Sequence, residues 1–259
     1  MGLIPHNFQR LQVTMGGTLL NPYLPLGLAG LEEYYDARTL LGTLAHGASV
    51  HTWPDLSGHT RTMTDTGTPS APTYLATSSL SPKGQPLVRW SGIDNCLGSG
   101  SINPMPLFTL GYSMHSAGLW QATAAPPAPF PGGILWQTDL GQPQLIRQTN
   151  GTNLTAFRDN VAIKSVCPQA STLGWHLLSF VFDPPDAVGT CRFYIDGVLT
   201  SSSNVWDFNY FASQSTLLGN TPAFNLPLKG DMGYFFWCSR AHTTAEVALI
   251  ALWSSIFWG

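Results

Sequence analysis

Six short motifs, rich in aromatic and turn-forming residues, follow one another along the chain and limit what it can fold into. They are Tyr34-Tyr35-Asp36-Ala37, Trp53-Pro54-Asp55-Leu56-Ser57-Gly58, Pro86-Leu87-Val88-Arg89-Trp90-Ser91-Gly92, Trp175-His176-Leu177-Leu178-Ser179-Phe180, Phe193-Tyr194-Ile195-Asp196-Gly197 and Lys229-Gly230-Asp231. Runs of this length, set between Gly, Pro and Asp, read as strands joined by turns. Asp196-Gly197 turns residues 191–195 into 198–200. Asn150-Gly151 does the same between 144–148 and 154–158, because both residues tolerate the positive φ of a tight hairpin. Further strands are expected over 86–90, 107–114, 134–138, 162–166, 177–183 and 216–219. The run 233–238 is apolar on both faces, which fits a central strand or one covered by the last helix. Residues 60–80, rich in Thr, Ser and Pro, are expected to be mostly loop.

In this order the motifs resemble the concanavalin A-like lectin/laminin-G-like superfamily, over residues 28–259. The resemblance implies an all-β jelly-roll sandwich of two antiparallel sheets with a short C-terminal helix. It also implies an opening strand and helical turn within 28–44, a turn at 92–95 before a short apolar strand, and Lys229-Gly230-Asp231 just before the final strand. Trp53, Trp90 and Trp175 fall within its motifs and are read as core. Asp55, Ser57 and Gly58 are read as structural: the two side chains bond backbone amides and the glycine takes the positive φ. The fold fixes little about function, because one sandwich serves many chemistries.

Residues 1–27 lack the motifs and form either an N-terminal arm or an edge strand near 11–15. No uninterrupted apolar stretch occurs in 1–20, so this segment does not read as a secretory signal. The apolar run 247–258 is too short to span a bilayer, and no membrane insertion is expected. Thr243 and Glu246 form a capping box that opens a helix over 244–257. The helix is apolar almost all round and is expected to be buried on more than one side. Its outer residues Leu252, Ile256 or Trp258 are candidates for contact with another chain. Phe130, inside the Pro-rich segment 122–133, is a further candidate, unless that loop folds back on its own sandwich.

Only 10% of residues are charged, against roughly 25% in an average soluble domain. The 11 Lys and Arg are scattered, so nothing here would neutralise a run of phosphates, and nucleic acid is not an expected partner. Cys96, Cys167, Cys191 and Cys238 show no paired metal spacing, and free thiols are expected. The two Asn-x-Thr matches, at Asn150 and Asn153, are read as accidental.

Glycosidases built on this sandwich need two carboxyl groups about 5–5.5 Å apart for retaining chemistry. Glu occurs only at 32, 33 and 246. Adjacent strand residues point to opposite faces, and Glu246 is used by the helix cap, so no enzyme is expected. The seven histidines leave a Ser/His/Asp triad open on composition alone, although no nucleophile-elbow motif exists. No cofactor is required by the residues. The family's usual calcium is left open, with Asp139, Asp183, Asp186, Asp207 and Asp231 in or near loops. For sugar binding, which needs exposed aromatic platforms beside polar acceptors, the candidates are Trp120, Trp136, Trp206, Asn209 and Tyr210.

Two readings follow. The first is a non-enzymatic virion structural protein, a phage capsid decoration or tail/fibre component assembled in the host cytoplasm. A fold typical of exported surfaces, without an export signal, reaches the outside when a host lyses. Its partners would be other virion proteins or copies of itself, and host-surface glycans. The second is a stand-alone carbohydrate-binding lectin.

Overall fold

The computed structural model of the protein describes residues 13–15, 18–20, 24–66, 70–92, 95–99, 111–120, 134–138, 145–149, 153–158, 162–167, 174–183, 189–206, 215–220 and 228–259. Its first strands are β1 (Val13–Met15), β2 (Thr18–Leu20), β3 (Leu31–Asp36), β4 (Thr52–Trp53), β5 (Met63–Asp65) and β6 (Thr73–Leu75). Next come β7 (Leu87–Ser91), β8 (Leu97–Gly98), β9 (Tyr112–Trp120), β10 (Ile134–Thr138), β11 (Leu145–Thr149) and β12 (Asn153–Arg158). The last are β13 (Ala162–Cys167), β14 (Trp175–Asp183), β15 (Gly189–Ile195), β16 (Val198–Trp206), β17 (Thr216–Leu218) and β18 (Lys229–Cys238), followed by helix α1 (Thr244–Phe257).

The strands build two antiparallel sheets, as expected. One runs β13-β12-β11-β10-β17-β8-β5-β4 and the other β16-β15-β14-β9-β18-β7-β6, with β3 also on β18. Strand β18 is the hub of the second sheet. It pairs with β9 along one edge, while β7 takes its first residues and β3 its last on the other. Every residue of β18 after Lys229 is buried, which is why its sequence is apolar on both faces. One face meets the first sheet. There Trp53 packs on Trp90 with ring centroids 6.3 Å apart, and Tyr112 lies 5.8 Å from Phe180. The other face is covered by α1.

Several boundaries differ from the sequence reading. The segment 60–80 contributes two short strands, β5 and β6, because Met63 and Tyr74 each bury an apolar side chain in the core. The strand expected at 107–114 begins at Tyr112 among the described residues and runs on to Trp120. Lys229-Gly230-Asp231 does not precede the final strand but opens it. The strand after Asp196-Gly197 extends to Trp206. Near the N-terminus, Val13–Met15 pairs with Thr18–Leu20 in a separate two-stranded sheet and joins neither layer of the sandwich. Thr149 stands opposite Asn153, which leaves residues 150–152 between β11 and β12.

The Trp53–Gly58 motif does the structural work expected of it. Asp55 Oδ1 accepts from the Tyr34 and Ser57 amides at 3.0 and 2.9 Å, and Oδ2 accepts from the Arg61 amide at 3.1 Å. The Ser57 hydroxyl lies 2.7 Å from Asp55 Oδ2 and 2.9 Å from the Glu32 carbonyl. Together with the Leu56 amide, which donates to the Tyr34 carbonyl, this loop satisfies backbone groups on the edge of β3 that no strand takes.

Helix α1 starts at the expected capping box. The Glu246 amide donates to Thr243 Oγ1 at 3.2 Å, and the Thr243 amide donates to Glu246 Oε2 at 2.8 Å. Thr243→Ala should cost about 1 kcal/mol of stability, read as a lower urea midpoint at unchanged slope. The helix buries Val247, Ile250, Trp253, Ser254 and Phe257, and its opposite side shows Leu249 and Leu252 to solvent. It is therefore covered on one side only, not on several. At about 1.5–3 kcal/mol per large apolar side chain, that one face is enough to hold it. Trp258 is not an outward residue. It is wholly buried, stacked 5.9 Å from Trp175 at 8° and 5.5 Å from Tyr234, with the Arg38 guanidinium 5.0 Å above its ring. A contact with another chain through Trp258 is thereby ruled out in this fold, because its own chain covers it.

Candidate functional site

Where α1 crosses the end of the β15–β16 hairpin, the two leave a cleft of about 400 Å³. The hairpin side is set by Asp196. This residue holds φ at +50° in the turn, and its amide donates to the Leu177 carbonyl at 2.9 Å. Its carboxylate accepts from the Leu177 amide at 2.8 Å through one oxygen and meets His176 Nδ1 at 2.7 Å through the other. That hydrogen bond raises the His176 pKa above the usual histidine value, against the opposing effect of partial burial. The carboxylate stays about half exposed, at 53%, so it is anchored yet reachable. Trp175 forms the floor, half-buried and backed by Trp258. Ala248, Ala251, Leu252 and Val198 make the apolar walls, and Ser254 and Ser255 line the helix side.

The cleft combines an indole, a fixed carboxylate, hydroxyl groups and small apolar side chains. Sites for polar organic ligands are built this way, with apolar area for binding and a few placed polar atoms for orientation. The two elements that form it carry exposed apolar side chains, Val198 at 69% exposure, Leu199, Leu249 and Leu252.

Two further sets of perturbed groups lie elsewhere and are buried. Glu33 is wholly buried between the sheets. Burial pushes its carboxyl up to about 7, opposed by hydrogen bonds such as that from Trp237 Nε1 at 2.9 Å. Ser179, His115 and His242 form a chain, with His115 Nδ1 2.8 Å from Ser179 Oγ and His115 Nε2 2.9 Å from His242 Nδ1. All three residues are fully buried. This is the serine–histidine constellation that composition left open, but no substrate reaches it. The exposed His51 pairs with Asp65, its ring nitrogen lying 2.5 Å from the carboxylate.

The structure does not gather the aromatic residues proposed from the sequence. Trp120 ends β9 beside the Trp175 end of β14, since Leu119 faces Trp175. Trp206 ends β16 opposite Gly189, at the Asp183 end of β14. The length of β14 separates the two, about 27 Å at the usual rise per residue. Trp136 stands in the other sheet, opposite core residue Leu218. Trp206 is thus a strand residue. Asn209, Tyr210 and Phe130 lie outside the described residues. Of the helix candidates, Leu252 is exposed and lines the cleft, and Ile256 is half-buried.

Sequence reasoning missed the cleft because it divided its parts among other duties: Trp175 to the core, Asp196 to a turn, Leu252 to an interface. The available signal was the register of the 191–200 hairpin, which sets its turn beside the start of β14. Among the proposed calcium residues, Asp231 is on a strand and forms a two-pronged ion pair with Arg89 at 2.7 and 2.9 Å, and Asp183 faces Arg192 at 3.4 Å. Asp139, Asp186 and Asp207 lie outside the described residues. No group of three or more His, Cys, Asp or Glu that could hold a metal occurs among the described residues. Cys96, Cys191 and Cys238 are free and buried, and Cys167 belongs to a strand whose side chains are not described.

No protein-family model matches the chain, and no curated protein matches it in sequence. Solved structures do share its fold. Domain 4 of AbnA, a GH43 extracellular arabinanase from Geobacillus stearothermophilus in complex with arabinotriose, aligns with a TM-score of 0.59 at 17% identity, over 86% of this chain and 98% of that one. The receptor binding domain of botulinum neurotoxin type G aligns at 0.57 and 13% identity, over 89% of this chain and 54% of that one. Trypanosoma rangeli sialidase aligns at 0.58 and 10% identity, over 95% of this chain. This chain spans 35% of the sialidase's length. At such identities the likeness is one of fold: the chain is similar to β-sandwich domains of carbohydrate-associated and receptor-binding proteins.

Proposed function

We propose that this protein is a non-enzymatic binding module that takes a glycan in the cleft between α1 and the β15–β16 hairpin. The observation that carries the reading is the composition of that cleft: a half-buried indole, Trp175, beside an anchored, half-exposed carboxylate, Asp196. A sugar offers C–H faces to the first and hydroxyl groups to the second. The fold neighbours agree in kind, one being a domain in complex with arabinotriose and another a neurotoxin whose cell entry depends on two ganglioside molecules.

The setting we favour is a virus particle, where a low-charge sandwich both packs on other subunits and touches host glycans. The exposed apolar side chains of Val198, Leu199, Leu249 and Leu252 on these two elements suit such packing. A glycan array followed by calorimetric titration tests the binding reading. Wild type should show a saturable sugar, and Ser255→Trp, which puts bulk at the mouth, should weaken it about tenfold or more at unchanged Tm. An array without hits, or equal affinity in the variant, would sink the cleft assignment. Light scattering addresses the setting: a strictly monomeric protein that ignores virion fractions counts against it.

A further inference from the structure

The hydrogen-bonded histidines beneath the helix have no part in the cleft chemistry, and their placement is specific. His115 sits mid-strand on β9, on the face that α1 covers. His242 is the residue before the helix N-cap. Their rings stack with centroids 5.1 Å apart, and His115 lies 4.7 Å from the ring of Phe236 on its other side. The His242 amide donates to Ser113 Oγ at 2.6 Å, and that hydroxyl donates in turn to the Arg240 carbonyl at 2.9 Å. The segment leading into α1 is therefore fastened to β9 by a ring–ring bond and a backbone bond two residues apart on the strand. His242 Nε2 is buried and has no hydrogen-bond partner among the described residues.

We infer that His115 and His242 form an acid-sensitive latch, which closes the start of α1 onto the sheet when neutral and loosens it when protonated. Two neutral imidazoles share one N–H across their 2.9 Å contact. With His242 Nδ1–H in the bridge and His115 Nδ1–H on Ser179, an added proton brings the pair to three N–H groups in all, and the third sits on His242 Nε2 with no acceptor in reach among the described residues. Burying an unpaired charged donor is costly.

The surroundings do not rescue the cation. Arg240, before the helix, and Arg192, on β15, are both positive, and Arg192 reaches the His242 carbonyl at 3.4 Å. Their carboxylates, Glu246 of α1 and Asp183 of β14, are already paired with them. Glu246 is held down at about 2, chiefly by its bond to Arg240, so this pair does not titrate in the range that matters. The Tyr194 hydroxyl of β15 lies 3.2 Å from Thr244 Oγ1. Burial keeps the Cys238 thiol of β18 up at about 12. Tyr34 of β3, beyond Phe236, is likewise pushed up by burial. Burial, with the neighbouring positive charge, lowers His115 well below the usual histidine value and His242 to about 4.

The sign follows. These groups bind protons less readily in the closed form than in the open one. The latch therefore holds fully above the ordinary histidine pKa of 6.5 and weakens as pH falls below it. His242 alone makes opening about 20 times more frequent at pH 5 than at pH 7. Opening bares the aromatic underside of α1 and dismantles one wall of the cleft, but the latch does not rest on the glycan reading.

Hydrogen exchange on the full chain, corrected for the intrinsic pH dependence of amide exchange, tests it. Protection of residues 244–257 should fall about 20-fold from pH 7 to pH 5 while β9 and β14 keep theirs. The double variant His115→Gln/His242→Asn should reduce that ratio to within threefold, and His51→Asn, next to β4 of the other sheet, should leave it unchanged. A ratio within threefold in wild type, loss from the strands in step with the helix, or a 20-fold ratio surviving in the double variant would overturn the latch. Should the double variant not fold, the histidine proton resonances of wild type decide. Titration of His242 well below 6.5, coupled to α1 exchange, supports the latch, and titration near 6.5 with α1 still protected refutes it.

Discussion

Gly219→Ala should lower the Tm by about 10–15 °C, with Gly58→Ala lowering it by only a few degrees. The two glycines have nearly the same backbone, φ +94° and +95°, so the strain of a β-carbon in the left-handed region, about 1–2 kcal/mol, is common to both. Their surroundings differ. A β-carbon at Gly58 meets nothing within 4 Å, whereas one at Gly219 falls 2.0 Å from Trp90 Nε1 and 3.0 Å from the Asn95 carbonyl oxygen. Trp90 is sealed in the core against Trp53 and cannot swing away, and the Asn95 oxygen is backbone. Overpacking of this kind adds about 1–3 kcal/mol. The total, about 2–5 kcal/mol and toward the upper end for a 2.0 Å clash, corresponds to the stated shift at roughly 2–4 °C per kcal/mol for a domain of this size. Calorimetry on the pair separates packing from strain. Equal losses in the two variants would show that Trp90 gives way.

Asp55→Ala is the second large loss, about 3 kcal/mol, seen as a lower urea midpoint at constant slope. One carboxylate holds three backbone amides, those of Tyr34, Ser57 and Arg61. Hydrogen bonds to a charged acceptor contribute about 1.5–3 kcal/mol each, offset in part where water replaces the side chain. Asp55→Asn keeps an oxygen for one side of the loop but turns an N–H toward the other, so it should recover only part of the loss. A neutral result for Asp55→Ala would mean that water solvates the edge of β3 as well as the carboxylate does.

The fold was legible because its signals are local. A Pro or Gly stops a strand, a Thr and Glu three residues apart start a helix, and an apolar run on both faces marks a hub strand. The candidate site was not, because it is assembled from three separate segments, at Trp175, Asp196 and Leu252, whose local meaning is structural. Trp175 reads as core and is half core. Asp196 reads as turn and is also a carboxylate facing a cleft. The aromatics at 120, 136 and 206 looked like a sugar platform by composition, yet pairing register sends them to separate ends and layers of the sandwich. Burial of Trp258 was equally invisible, since a residue at the end of an apolar helix can face either way. What decides is the flat stack it makes with Trp175, and no periodicity reports that.

The position of β18 has a bearing on how the chain is made. Synthesis delivers β3, β7 and β9 early, but each waits for the same late strand before its inner edge is closed. Until residues 229–238 emerge, the second sheet exists as pieces with open hydrogen-bonding edges and uncovered Phe and Trp side chains. Assembly of that sheet is then a single late event that joins partners up to about 200 residues apart, a topology that folds slowly and leaves sticky intermediates. A nascent chain of this kind has a long interval in which a chaperone is useful, and a ribosome stalled just before β18 would release a product unable to fold.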